Sequence, residues 1–125
     1  MAEEARSYAA AATEAGSLAL PSAPFQFGAF ELDASQLFFA SENCVAIVNL
    51  KPLCPGHVLV VPKRCVPTLN ELPDAERHEL WRTVRAVQAL IVGVHGASAS
   101  KLAVQDGRDA GQSVPHAHVH LFPHK

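Results

Sequence analysis

Residues 116–122 read His-Ala-His-Val-His-Leu-Phe, three histidines in strict alternation with apolar residues. A period of two belongs to an extended strand, whose successive side chains point to opposite faces. The pattern predicts His116, His118 and His120 on one face and Ala117, Val119 and Leu121 on the other. At a rise of about 3.3 Å per residue, same-face imidazoles stand roughly 6.6 Å apart. Each can serve as nucleophile, proton donor, proton acceptor or metal ligand near neutral pH.

The preceding segments extend the strand reading. From Phe25 the chain turns to β patterning, with Leu37–Ala40 and Val45–Leu50 joined as a hairpin through Ser41-Glu42-Asn43-Cys44. Lys51-Pro52-Leu53-Cys54-Pro55-Gly56 is a turn signal before another apolar strand, His57–Pro62. A helix is expected from Pro73 or Asp74 to about His95, capped by Gly96. Leu80, Trp81, Val84, Val87, Leu90, Ile91 and Val94 form its apolar stripe and are expected in the core. Lys101–Gln105 supplies a fourth strand and the histidine segment a fifth. The fold class is α+β: a five-stranded antiparallel meander with one long helix on a face.

Residues 1–24 are alanine-rich and end at Pro21-Ser22-Ala23-Pro24, with few large apolar residues to form a docking stripe. They read as a frayed helix or mobile extension ahead of a single domain over 25–125. The 125 residues are 49% hydrophobic and 18% charged, which suits one globular domain. A formal net charge of −2 gives no basic surplus for nonspecific nucleic-acid binding. No apolar run approaches the ~20 residues of a membrane span. The acidic start, Met1-Ala2-Glu3-Glu4, does not resemble a signal or transit peptide. The three cysteines, Cys44, Cys54 and Cys65, form neither a CxxC pair nor an even disulfide set. These features together predict a soluble, cytoplasmic protein with nuclear access open to it.

His78, His95 and His124 read as surface or internally satisfied histidines. A metal site is the serious rival reading of the alternating row, since two or three same-face histidines can ligate zinc or copper. HExxH is absent, however, and one strand at ~6.6 Å steps is too spread to give three bonds of about 2 Å. Gly107 and Gly111 bracket a turn whose backbone can approach a ligand closely. Tight-turn amides there, with the Gln105 amide and the Ser113 hydroxyl, suit a phosphate whose charge rises in a transition state. Neither GxxxxGK[ST] nor GxGxxG occurs. A histidine attacking phosphorus, its other ring nitrogen held by a backbone carbonyl, follows from general nucleophile logic.

The run from His116 to Phe122 resembles the HφHφHφφ signature of the histidine-triad (HIT) superfamily of nucleotide hydrolases and transferases. The preceding Gln105-Asp106-Gly107-Arg108-Asp109-Ala110-Gly111-Gln112-Ser113-Val114 is similar to its fragile-histidine-triad branch, the dinucleoside polyphosphate hydrolases. The likeness extends upstream through Phe25–Gly28, Val48–Pro52 and Pro55–Val60. It implies a HIT-like fold and a homodimer through the long helix and adjoining strand, in which Trp81 and Val84 are alternatively interface residues. It also implies no required cofactor beyond a divalent cation carried by the substrate, and cleavage of diadenosine triphosphate to AMP and ADP.

By the same resemblance His118 is the nucleophile, His116 and His120 orient it and contact phosphate, and His57 supports the triad. Gln105 is expected near the scissile oxygen, with Gly111, Gln112, Ser113 and Val114 around the phosphate. Asn49 is expected on the ribose, and Phe27, Leu32, Ile47 and Leu59 as walls for the base. For each wall residue plain core packing is an equal reading. Phe30 departs from the polar residue common at its place, and the chain ends five residues after His120, so the leaving-group side is expected to be less complete. Two rival functions stay open: a nucleoside phosphoramidate or aminoacyl-adenylate hydrolase, and a nucleotide-binding signalling protein with weak catalysis.

Overall fold

Alternating apolar residues produce a sheet whose two faces are used differently. The computed structural model describes residues 2–125, so Met1 of the extension lies outside it. Along the chain come α1 (Ala2–Ala12), β1 (Phe25–Phe27), β2 (Phe30–Leu32), β3 (Leu37–Ala40), β4 (Cys44–Val48), β5 (Val58–Pro62), α2 (Asp74–His95), β6 (Ala99–Ala103) and β7 (Val119–His124). β1 and β2 form a separate hairpin, and the remaining strands make one sheet in the order β3-β4-β5-β7-β6. Every pairing in it is antiparallel.

That order corrects the expected meander. After β5 the chain enters α2, which packs across β4, β5, β7 and β6 and delivers β6 to the far edge. The gap beside β5 is filled by the last strand, so β7 is flanked on both sides. The histidine strand also starts later than expected, at Val119. His116 and His118 lie in the extended approach to it, where the Ala117 amide donates to the Val66 carbonyl at 2.8 Å.

α2 has the expected bounds, with Asp74 and Glu76 in its first turn and Gly96 capping it at φ +58°. Leu80, Val84, Val87, Leu90 and Ile91 are buried, but Trp81 and Val94 are 40% and 42% exposed, which corrects their placement in the core. Trp81 stands about 100° round the helix from Leu80 and so leaves the packed stripe. A second correction concerns α1, which does dock. Ala5, Tyr8 and Ala12, on one helical face, are buried against β3 and α2. The small alanines allow close approach, so a stripe with one aromatic suffices.

Two apolar clusters result. On the helix side lie Ala46, Val48, Val58, Val60, Ala117, Val119 and Leu121 with α1 and α2. On the other side Val45, Ile47, Leu59 and Val61 pack beneath Phe27 and Leu32 of the hairpin. Alternation thus assigns Ala117, Val119 and Leu121 to the helices and leaves the histidines to the hairpin side. Among the described residues, no helix is long and apolar enough to cross a membrane.

Candidate active site

His116 and His118 are oriented by backbone groups whose roles as donor or acceptor are fixed. His116 is fully buried. One ring nitrogen, Nε2, lies 2.7 Å from the Pro62 carbonyl, and the other, Nδ1, accepts the Gly28 amide at 3.0 Å. A carbonyl only accepts and a backbone amide only donates, so the proton sits on Nε2. Both nitrogens are then spent. The expected contact between His116 and phosphate is therefore corrected: its ring anchors the β1–β2 hairpin instead.

His118 is the complementary case. Its Nδ1–H donates to the His116 carbonyl at 2.7 Å, which places the lone pair on Nε2. That nitrogen has no protein partner among the described residues, and it is absent from the sealed, unpartnered atoms, so it retains access to solvent. The edge of the ring meets Phe27, with ring centroids 5.1 Å apart.

His57 and His120 form a relay. The Leu53 amide donates to His57 Nδ1 at 3.1 Å, so His57 carries its proton on Nε2. That proton goes to His120 Nδ1 at 3.0 Å, which leaves the His120 proton on Nε2. His120 Nε2 is the buried side-chain polar atom without a partner among the described residues. An orphaned donor of this kind costs about 1–3 kcal/mol unless a ligand accepts from it. Phe122 stacks on His57, with ring centroids 4.1 Å apart.

Burial lowers the pKa of His57, His116 and His118 below the ordinary imidazole value. For His120, burial and then the neighbouring His118 and His57 push it down to about 4. The whole set is therefore neutral at pH 7, as an imidazole nucleophile requires.

Beside the row opens a cleft of about 370 Å³. Phe27, Leu32, Ile47 and Leu59 line it with Asn49, Ser113 and Val114, together with Phe30, Val48, Leu50 and Lys51. The register explains the convergence: Ile47 pairs with Leu59 and Leu59 with His120, one row running across three strands from apolar wall to imidazole. Asn49 contacts His57, its Nδ2 lying 3.1 Å from Nε2 and 3.3 Å from Nδ1. Since both His57 nitrogens are already committed, this is a contact on the ring; the Asn49 Oδ1 accepts the Lys51 amide.

The other expected residues divide. Ser113 and Val114 reach the cleft. Gln112 does not: its amide donates to the Pro67 and Val114 carbonyls and accepts from Gly107, bracing the turn. Gln105 lies over Gly111, where a Cβ would come within 2.6 Å of its amide nitrogen. Neither lines the cleft. The residues that sequence reasoning missed are mostly backbone: the Pro62 carbonyl and the Gly28 and Leu53 amides. Only Gly28 left a trace, as a glycine closing the Phe25–Gly28 motif. Its φ is +57°, and a Cβ there would fall 2.7 Å from Val114.

Residues 31–125 match the family model of the HIT domain. The chain is 53% identical over 91 residues to the bis(5′-nucleosyl)-tetraphosphatase (asymmetrical) of Schizosaccharomyces pombe, covering 73% of this chain and 50% of that protein. It is 44% identical over 101 residues to the bifunctional bis(5′-adenosyl)-triphosphatase/adenylylsulfatase of Arabidopsis thaliana, covering 81% of this chain and 56% of that one. The chain thus spans about half the length of these relatives. Among solved structures, the Plasmodium falciparum diadenosine triphosphate hydrolase in complex with cyclomarin A superposes with a TM-score of 0.83 at 27% identity, covering 95% of this chain and 82% of that one. The Caenorhabditis elegans NitFhit protein gives 0.83 at 40% identity, over 86% of this chain and 26% of that one.

Proposed function

The chain belongs to the HIT-domain family, and from that premise we propose that it hydrolyses dinucleoside polyphosphates such as diadenosine triphosphate to AMP and ADP. The observation that carries the reading is the pair of unspent ring nitrogens, a lone pair on His118 and a proton on His120, beside an apolar cleft. The names of the Schizosaccharomyces pombe and Arabidopsis relatives and of the Plasmodium structure support the substrate class.

One nucleoside enters the cleft, with its base against Phe27, Leu32, Ile47 and Leu59 and its ribose near Asn49. His118 Nε2 attacks the α-phosphorus; a nitrogen–phosphorus bond forms as the bridging phosphorus–oxygen bond breaks, and ADP leaves with that electron pair. The positive charge gained by the ring is shared with the His116 carbonyl through Nδ1–H. His120 Nε2–H donates to the phosphate oxygen whose charge grows. Water then attacks the phosphorus, loses its proton to solvent and releases AMP from neutral His118. A divalent cation, where present, arrives with the polyphosphate.

His118→Ala is expected to lower turnover by about 10⁴-fold or more, and rapid quenching of the wild type should trap an acid-labile adduct of about 329 Da, an AMP joined to the chain. Full turnover by His118→Ala would end the proposal.

The same reading includes a homodimer. β6 is one of the two edge strands of the sheet, and Leu102 on it and Trp81 on α2 are 42% and 40% exposed. The Gln88–Ser100 hydrogen bond at 2.6 Å ties this face of α2 to the same edge. A second copy covering the edge would remove both liabilities. Sedimentation of the wild type at twice the chain mass, and of Leu102→Lys at the chain mass, is the expected result.

A further inference from the structure

A second, larger cleft of about 550 Å³ lies across Ser113 from the nucleoside cleft. Its walls include Pro67, Thr68, Gly107, Arg108 and Ser113. Taken with the proposed function, on which this inference rests, the shared Ser113 has a geometric consequence. A polyphosphate that leaves the first cleft on its Ser113 side meets the second.

We propose that this second cleft holds the leaving polyphosphate, and that Arg108 is the cation that selects for it. The cleft is built from braced parts. The Asp106 carboxylate accepts the Leu69 amide at 2.8 Å, Gln112 accepts the Gly107 amide at 2.7 Å, and Gln112 donates to the Pro67 carbonyl at 2.7 Å. These bonds pin the glycine turn to the 67–69 segment and fix the walls facing each other. Arg108 opens the short 3₁₀ turn Arg108–Ala110 that this bracing supports.

The charges in the cleft leave Arg108 available. The ion pair among the described residues is Arg64–Glu76, so Arg108 has no carboxylate partner, although Asp109 is its neighbour in the turn. Asp106 is committed to Leu69, and Thr68 gives its hydroxyl to Glu71 at 3.2 Å. A guanidinium presents a planar fork that matches phosphate oxygens in pairs. Its contribution grows with the charge on the leaving group and is absent when the leaving group carries none.

The experiment compares two substrates in each variant. Diadenosine tetraphosphate leaves as a multiply charged nucleotide; adenosine 5′-phosphoramidate leaves as ammonia. The quantity read is the ratio of their kcat/KM values, which cancels differences in folding and in the chemistry at His118. Arg108→Ala is expected to lower the ratio about tenfold, Arg108→Glu to lower it further, and Arg108→Lys to restore part of it. The loss should appear mainly in KM for the tetraphosphate and should shrink as salt is raised. A ratio that is the same in wild type and Arg108→Ala overturns the inference alone, since the wild type still turns over the dinucleotide. Wild-type turnover of the phosphoramidate without any of the dinucleotide overturns the proposed function, and this inference with it.

Discussion

Hydrogen-bonded imidazoles occur in two regions of the molecule, one on each side of the sheet, and they end differently. On the helix side, His95 of α2 meets the Tyr8 hydroxyl at 2.6 Å, and that hydroxyl also reaches Glu4 at 3.0 Å. Burial, followed by Glu4, raises the Tyr8 pKa, so the phenol stays protonated. That chain of partners ends on the Glu4 carboxylate, and its effect is to hold α1 against α2. On the hairpin side the chain from Leu53 through His57 runs out at His120 Nε2, and the chain from the His116 carbonyl runs out at His118 Nε2. Chemistry is expected where hydrogen bonding is incomplete, not simply where histidines are many.

That contrast can be broken in several places. The largest effect short of removing His118 is expected for His120→Leu, which carries no donor, where loss of the unpartnered N–H should lower kcat by about 10²–10³. Circular dichroism checks that the fold is retained. An unchanged kcat would mean that the orphan donor touches nothing that reacts.

Acid should act next, and on one side. The unfolded histidines protonate near 6.5, while the folded row resists, His120 until about 4. Below pH 6.5 the unfolded state therefore binds more protons, and stability falls as pH is lowered, by up to about 1.4 kcal/mol per pH unit for each histidine kept neutral. Urea titrations from pH 7 to 4.5 should show this slope, and His120→Gln should flatten it. A wild type with constant stability over that range would contradict the burial of the row.

Gly28→Ala tests the anchor of the hairpin. The new Cβ must enter left-handed backbone and meet Val114 at 2.7 Å, at a cost of about 1–3 kcal/mol. Turnover should fall with it as Phe27 shifts from His118. Tyr8→Phe is the smallest change, about 1 kcal/mol from one lost hydroxyl, with kcat and KM like those of the wild type. A large kinetic effect of Tyr8→Phe would show that the helix side reaches the site.

The parts of this arrangement that were legible in the sequence share one property: they depend on neighbours along the chain. Alternation placed Ala117, Val119 and Leu121 opposite the histidines, and helical spacing with Gly96 bounded α2 to within about a residue at each end. The apolar wall of Phe27, Leu32, Ile47 and Leu59 followed from the family likeness, and the structure gathers all of it around one cleft. Trp81 was misplaced because it is apolar and adjacent to a true core position, while burial depends on what lies across from it. α1 was undervalued because alanines look like weak anchors until a surface close enough to use them is present.

Sequence alone thus determined the strand with opposed faces, the long capped helix and the row of histidines that shares one face. Tertiary structure decided which ring nitrogens of that row are free. His116 and His118 are the same residue type, two positions apart on the same face, yet the Pro62 carbonyl and the Gly28 amide consume one ring and leave the other a lone pair. Those partners come from β5 and the β1–β2 hairpin, 54 and 88 residues away in the chain. A backbone amide or carbonyl is present at nearly every position and so carries no sequence signal. Only packing brings it within hydrogen-bonding distance of a particular nitrogen.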